Sequence, residues 1–199
     1  MRFLLFIKHR LTFLWSTAEW ANGILFGLLF GNRLSAAVGK ACSKYSREDI
    51  TFRPVARNDI PALSAFFHAQ PQETYLYFKP HEFDEKALLK LWKNPAFCQM
   101  IATTEEGQIV GYFMIRFFVN RKAFAGFLVG NQFQGHGIAK TMCRIVFDIC
   151  WTNRFRTFAT VSKQNGKALS AYRSINDFKI LKELPNDYLY IEYVPVGQK

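Results

Sequence analysis

The residues with the clearest capacity for chemistry form the stretch Gln134-Gly135-His136-Gly137-Ile138-Ala139. An apolar run that ends at Val129 precedes this stretch, and a segment with helical apolar spacing follows it. A strand, a glycine turn and a helix start in this order form an anion site, because the first N–H groups of a helix have no partner within it. Gly135 and Gly137 lack the Cβ atoms that would keep a ligand off the backbone. The stretch predicts a phosphate-binding turn, and the alternative is a strand-to-helix turn without a ligand.

Two widespread phosphate-binding motifs do not fit this turn. A P-loop requires G-x-x-x-x-G-K-[ST], and the residues after the turn do not supply it. A dinucleotide fingerprint requires G-x-G-x-x-G, but Lys140 stands where its third glycine would be. The predicted anion site therefore belongs to another class.

The turn resembles motif A of the GNAT superfamily of N-acetyltransferases, whose pattern is R/Q-x-x-G-x-G/A. Gln134, Gly137 and Ala139 occupy the specified positions, and Gly135 is a frequent extra glycine of that motif. The preceding Phe127-Leu128-Val129 looks like the splayed fourth strand of the family.

A second match lies downstream. Asn165, Ala168 and Tyr172 fit the family pattern N-x-x-A-x-x-x-Y. The following Asn176-Asp177-Phe178 stands where the family usually has Gly-Phe, so the glycine is replaced and the phenylalanine comes one residue late. The resemblance extends over residues 50–195, with two separate motifs in the expected order.

This resemblance implies acetyl-CoA as the cosubstrate and requires no metal. The pyrophosphate of acetyl-CoA is expected to bind the amides of the turn, near the positive end of the helix dipole. Its pantetheine arm is expected to pair with the strand edge at 127–129. The expected cofactor-binding residues are Phe127, Val129, Gln134, Gly135, His136, Gly137, Ile138, Ala139, Lys140 and Asn165.

The same resemblance makes Tyr172 the catalytic residue, a general acid for the departing thiolate, with a core aromatic as the alternative. The backbone N–H of Val129 is a candidate for stabilising the carbonyl oxygen. No general base is evident, because residues 123–129 contain no acid. Glu73, Asp84 and His68 lie in the acceptor-side region, and each fits a surface position better.

The acceptor is expected to be a primary amine bound beside the loop 70–80. Glu73, Tyr75 and Tyr77 are the candidate substrate residues on this loop, whose aromatic rings suit sugar rings as well as amino-acid side chains. A nucleotide-linked or lipid-linked amino sugar of surface polysaccharide synthesis is the favoured acceptor. The alternatives are a protein or peptide N-acetyltransferase, a non-catalytic acyl-CoA-binding module, and a membrane-associated interaction protein.

Composition agrees with an enzyme that binds an anion. The chain has 199 residues, 50% hydrophobic and 17% aromatic, which suits one domain with an appendage. A net charge of +11 and a pI near 9.6 favour anionic ligands or surfaces. No nucleic-acid partner is expected, since the basic residues are scattered and no binding motif accompanies them.

The cysteines and histidines do not indicate a metal site. The cysteine spacings fit no zinc pattern or redox pair, and burial as small apolar side chains is the expected state. These cysteines are Cys42, Cys98, Cys143 and Cys150. With no secretory signal evident, the reducing cytoplasm is the expected compartment.

Residues 1–48 are expected to form an apolar or amphipathic helical appendage and linker ahead of an acetyltransferase-like domain at 49–199. Polar residues spaced by four or three fall on one stripe of a helix: Lys8, Thr12, Ser16, Glu19 and Asn22. Such a helix in residues 3–31 favours peripheral contact with the inner face of the cell membrane.

Three alternatives remain for this segment: packing on the domain, a homodimer arm, and a membrane span over residues 11–30. In a span, Glu19 would cost roughly 2.5–3.5 kcal/mol. Gly23 is expected to break the helix, and residues 34–49 are expected to be its polar tail and a linker.

The elements that must position the site follow from alternation and helical periodicity. Over residues 49–199 they predict the order β-α-α-β-β-β-α-β-α-β-β, with strands at 97–103, 109–119 and 123–129 and a helix from 136 or 137 to 151. The expected fold class is α+β. As in the GNAT fold, a mixed, mostly antiparallel sheet with splayed strands is flanked by helices, and the N-terminal apolar helical appendage is added to it.

Overall fold

The structure, a computed structural model, describes residues 12–195 of the chain. Its helices are α1 (Thr12–Tyr45), α2 (Ile60–His68), α3 (Glu85–Trp92), α4 (Ile138–Thr152) and α5 (Gly166–Arg173). Its strands are β1 (Thr51–Pro54), β2 (Phe97–Thr103), β3 (Ile109–Phe117), β4 (Lys122–Val129), β5 (Arg156–Ser162), β6 (Asp177–Leu184) and β7 (Tyr188–Val194). The predicted element order is confirmed.

The seven strands form one mixed sheet in the order β1-β2-β3-β4-β5-β7-β6. All neighbours are antiparallel except β4 and β5, which run parallel. These two strands pair only where residues 122–124 meet residues 156–158, and beyond Phe124 and Phe158 they separate. The predicted sheet with splayed strands is confirmed, and the opening between β4 and β5 is called the gap below.

Helices cover both faces of the sheet. One face of the sheet packs against α1, α4 and α5 and is called the α4 face. The other face packs against α2 and α3 and is called the α2 face. Alternation along β4 assigns its side chains: Ala123 and Ala125 join the core of the α4 face, while Leu128 joins the core of the α2 face. The gap therefore connects two separate layers.

The predicted helix break at Gly23 is wrong. Helix α1 is continuous over 34 residues and includes most of the predicted tail and linker. Gly23 serves close packing, because a Cβ added there would lie 2.7 Å from the Asn94 side-chain oxygen. Burial of Phe26, Leu34 and other side chains in the core of the α4 face stabilises the helix on the C-terminal side of the glycine. Before the glycine, Glu19 and Asn22 hold the helix to β3.

The contacts of α1 show which side of the helix faces the sheet. Glu19 pairs with Arg116, and the Asn22 amide donates to the Phe117 carbonyl at 3.0 Å, so these two residues of the polar stripe face the sheet. Side chains on the outer face are apolar and exposed: Trp20, Ile24, Leu25, Leu28 and Leu29. Lys8 and the rest of residues 3–11 lie outside the described residues.

Within residues 12–195, no helix combines the length and the apolar character needed to cross a bilayer.

Candidate active site

Two glycines shape the turn between β4 and α4. Gly135 has φ +88° and Gly137, the N-cap of α4, has φ +77°, a region in which L side chains are strained. The first helical hydrogen bond runs from the Thr141 N–H to the Gly137 carbonyl at 3.1 Å. The amides of Ile138 to Lys140 therefore have no acceptor within the helix.

The space in front of this turn is open. A Cβ added at Gly135 would meet no heavy atom within 4 Å, and one at Gly137 would meet only the Arg47 guanidinium, at 4.0 Å. Gln134, Gly135 and His136 are exposed, whereas the Ile138 side chain is buried and anchors the start of α4. Free amides and open space together fit a phosphate group.

Two cations that the motif does not include lie at this turn. Lys167 of α5 donates to the Gln134 side-chain oxygen at 3.4 Å, and Arg47 donates to the His136 carbonyl at 3.4 Å. Arg47 also pairs with Asp49 at 3.0 Å. Lys167 lies two residues after Asn165, so the second motif points to it, whereas Arg47 approaches from a remote part of the chain.

The edge of β4 faces the gap. Residues 125–129 pair with β3 on one side and have no partner strand on the other among the described residues. Because backbone groups of a strand alternate in direction, part of the N–H and C=O groups of this segment point into the gap. Phe127 and Val129 thus lie on an edge that an extended ligand can pair with.

Tyr172 lies beside this edge. Its ring centroid is 6.2 Å from that of Phe127 and 5.2 Å from that of Tyr193, with the two tyrosine rings nearly perpendicular. Burial raises the pKa of Tyr172 above its ordinary value of 10.0, so the hydroxyl stays protonated at neutral pH. The Tyr193 hydroxyl has no hydrogen bond of normal geometry. Burial is the main cause of the raised pKa of Tyr193, and the nearby Tyr172 raises it further.

Asn165 has a local role that explains the motif spacing. Its side-chain oxygen caps α5 by accepting from the Ala168 N–H at 3.1 Å. Tyr172 follows Ala168 by four residues, one helical turn along the same face. Asn165 therefore fixes the start of the helix that places Tyr172 at the gap.

The loop 70–80 covers the α2 face of the gap. Phe78 packs on β4, since a Cβ at Gly126 would lie 3.2 Å from the Phe78 ring. The Tyr188 hydroxyl of β7 donates to the Leu76 carbonyl at 2.9 Å, which ties the loop to the far side of the gap. The loop and β7 thus form two walls of one opening.

The three candidate substrate residues have different environments. Glu73 and Tyr77 are exposed on the loop. Tyr75 turns inward, where its hydroxyl donates to the Phe67 carbonyl and its ring packs 5.2 Å from that of Phe83. Only Glu73 and Tyr77 are available to a ligand in this arrangement.

A partly buried polar chain beneath the loop was not predicted. The His81 Nε2 lies 2.9 Å from the Tyr112 hydroxyl, and its Nδ1 lies 2.7 Å from the Glu82 carbonyl. Since a carbonyl only accepts, Nδ1 carries the proton and Nε2 accepts from Tyr112. Burial lowers the pKa of His81 from 6.5, so the ring is neutral at pH 7.

The structure shows neither a metal cluster nor a reactive thiol in residues 12–195. No group of three or more His, Cys, Asp or Glu side chains in this range has an arrangement that could hold a metal ion. The four cysteines are free, and burial raises the pKa of Cys42, Cys98 and Cys150 to about 12 and that of Cys143 further. Thiols in this state are poor nucleophiles.

Solved structures share this fold at low identity. A spermidine N-acetyltransferase from Vibrio cholerae, in complex with CoA and spermine, has a TM-score of 0.61 and 17% identity, covering 74% of this chain and 96% of its own. A ribosomal-protein-S5-alanine acetyltransferase from Vibrio fischeri has a TM-score of 0.61 and 13% identity, covering 77% and 97%. The PaiA N-acetyltransferase from Thermoplasma acidophilum, in complex with coenzyme A, has a TM-score of 0.61 and 17% identity, covering 72% and 98%.

Sequence comparison supplies the family. No curated protein matches the chain closely enough to be a relative. The model of the acetyltransferase (GNAT) family matches residues 63–178, which include the turn, the β4 edge and Tyr172. The chain therefore belongs to the GNAT family of N-acetyltransferases, enzymes that take their acetyl group from acetyl-CoA.

Proposed function

We propose that this enzyme transfers the acetyl group to the primary amine of a nucleotide-linked or lipid-linked amino sugar. One observation carries the proposal: the gap joins an anion-binding turn and a free strand edge to an opening walled by aromatic side chains. Aromatic faces suit sugar rings, and the net charge of +11 suits an acceptor that carries phosphate.

The turn binds the pyrophosphate of acetyl-CoA in this proposal. The amides of residues 134–140 donate to it, and the side chains of Lys140, Lys167 and Arg47 add positive charge. The edge of β4 from Phe127 to Val129 pairs with the pantetheine arm. Asn165 contributes indirectly, because its side chain caps α5 and so fixes the position of that helix beside the turn.

Bound acetyl-CoA supplies an acetyl group activated as a thioester. A C–N bond forms to the neutral amine and the C–S bond breaks, while the amine releases a proton to water. The Val129 N–H stabilises the negative charge that develops on the carbonyl oxygen. The Tyr172 hydroxyl, which its raised pKa keeps protonated throughout the neutral range, donates its proton to the departing sulfur and regains one from the water that accepted the proton of the amine.

We also propose that α1 holds the enzyme at the inner face of the cell membrane. The support is the outward apolar face of α1, on which Leu28 is 79% and Leu29 64% exposed. Isolated exposed leucines are ordinary, but a contiguous helical face of them indicates a binding surface. Exposed Arg33 and Lys40 on the same helix suit anionic headgroups.

Cosedimentation with lipid vesicles tests the membrane proposal. The full chain should pellet with vesicles that contain phosphatidylglycerol and stay in solution with pure phosphatidylcholine. A Leu28→Gln, Leu29→Gln double variant should stay in solution with both. If the parent ignores both vesicles but runs as a dimer that the double variant dissociates, the face is a homodimer interface instead.

An acceptor screen tests the activity. The full chain with acetyl-CoA should release CoA with uridine-diphosphate-linked glucosamine, and Tyr172→Phe should slow this release. CoA release with a peptide N-terminus and not with amino sugars would make the enzyme a peptide N-acetyltransferase. Acetyl-CoA binding without transfer to any amine would make it an acyl-CoA-binding module.

A further inference from the structure

Three aromatic rings from the adjacent strands β4, β5 and β7 form a compact triangular cluster on the α2 face, called the aromatic row below after the order of these strands. Phe124 of β4, Phe158 of β5 and Tyr190 of β7 have ring centroids 5.5 to 5.9 Å apart, with interplanar angles of 15° to 31°. Phe158 is 1% exposed, whereas Phe124 and Tyr190 are half-buried. The rings of Phe124 and Tyr190 are therefore partly accessible to a ligand, and the buried Phe158 ring supports them.

This row lies where the gap begins. Phe124 and Phe158 are the last residues that pair β4 with β5. Tyr172 belongs to the opposite layer, because it packs against the core of the α4 face. The aromatic row therefore lies next to the free β4 edge, in the layer opposite Tyr172.

Positive charge surrounds the row. The Lys122 ammonium and the Arg156 guanidinium lie 5.8 Å and 5.2 Å from the Phe158 ring centroid. The carboxylate of Glu192 binds Arg156 at 2.6 and 2.7 Å, and this contact, with Lys179 and Lys122 nearby, lowers the pKa of Glu192. Three cations around one carboxylate leave a positive excess.

Together, the rings and the charges select one chemical class of acceptor. Ring faces bind the apolar face of a sugar, and a positive excess attracts phosphate. The same excess repels a polyamine, whose amines are cationic at neutral pH.

We propose that the Phe124–Phe158–Tyr190 row is the acceptor subsite and that it stacks the ring of a phosphorylated amino sugar. Lys122, Arg156 and Lys179 form its rim and bind the phosphate. This inference rests on the proposed function and adds the acceptor-binding residues to it. It also excludes polyamines as the preferred acceptors.

Steady-state kinetics of the full chain test the subsite with three probes: glucosamine, uridine-diphosphate-linked glucosamine and spermidine. Phe124→Leu keeps an apolar side chain but removes the ring, and it should raise KM for both sugars roughly 3- to 10-fold. Lys122→Glu should raise KM for the phosphorylated sugar and leave KM for glucosamine unchanged. Trp151→Leu, which alters a half-buried ring that stacks on Phe147, is the matched control.

The dissociation constant of acetyl-CoA separates acceptor effects from misfolding, and it should not change in Phe124→Leu or Lys122→Glu. An active parent whose KM values do not respond to these two changes overturns the subsite and leaves the proposed function standing. A preference for spermidine over the phosphorylated sugar also overturns it. A parent that transfers acetyl to none of the probes contradicts the proposed function itself.

Discussion

The two sides of the gap differ in the parts of the chain that they offer to a ligand. On the α4 face, the turn at 134–140 offers backbone amides held by two left-handed glycines and a helix start. On the α2 face, the opening is lined by side chains from β4, β5, β7 and the loop 70–80. Backbone recognition depends on local geometry, whereas side-chain recognition depends on which residues several remote segments supply.

This difference has a consequence for specificity. A backbone site tolerates wide sequence change as long as the glycines and the helix start remain, so it suits a cosubstrate that a family shares. A side-chain site changes with each substitution on its strands, so it suits the ligand that differs between family members. In our proposal, the choice of acceptor therefore depends on the α2 face.

The largest expected effect is loss of acetyl-CoA binding in Gly137→Glu. The new side chain would strain a backbone at φ +77° and place negative charge in front of the free amides. Calorimetric titration should show binding to the parent and none to the variant. Gly107→Glu is the matched control, because Gly107 has φ +82° and open space but lies in the β2–β3 hairpin. Equal loss in both variants would mean that strain, and not the ligand site, accounts for the result.

Tyr172→Phe should lower kcat by about 10²- to 10⁴-fold and leave acetyl-CoA binding unchanged, as expected for a general acid. Because burial raises the pKa of Tyr172 above 10.0, this group should cause no loss of parent activity between pH 7 and pH 10. Tyr193→Phe removes a neighbouring buried hydroxyl and should keep near-parental kcat. A kcat that is unaffected in Tyr172→Phe would make this ring a core residue.

The residues of the two sides also differ in how well they could be predicted from the sequence. The turn and the capped helix of Tyr172 are contiguous motifs, so their residues could be named from their resemblance to the motifs of the family. The aromatic row and Arg47 come together only through strand pairing and the path of α1, which no local pattern encodes. The continuity of α1 could not be foreseen either, because Gly23 lowers helix propensity and only its packing against Asn94 shows why the helix continues.

The core of the α4 face should respond strongly to a change in α1. Phe26 is 1% exposed and its ring lies 5.1 Å from that of Phe117, so Phe26→Ala should cost about 3–5 kcal/mol of unfolding free energy. Leu28→Ala on the exposed face of the same helix should change it by less than about 0.5 kcal/mol. Urea denaturation of the full chain measures both. Similar values for the two variants would mean that α1 does not contribute to this core.

The smallest expected effect concerns neutral His81, which packs against the core of the α2 face. Because burial lowers the folded-state pKa below 6.5, the unfolded chain takes up a proton first as the pH falls below 6.5. The free energy of unfolding should therefore fall between pH 6.5 and pH 5. His81→Gln should reduce this fall, and identical pH slopes in parent and variant would rule out His81 as its source.

The central claim is that the gap holds acetyl-CoA on the α4 face and the amine on the α2 face at the same time. Initial rates of CoA release, measured over a matrix of acetyl-CoA and uridine-diphosphate-linked glucosamine concentrations, test it directly. Direct transfer in a ternary complex predicts double-reciprocal lines that intersect, in agreement with buried thiols of raised pKa. Parallel lines would indicate a covalent acetyl-enzyme, and they would contradict the account.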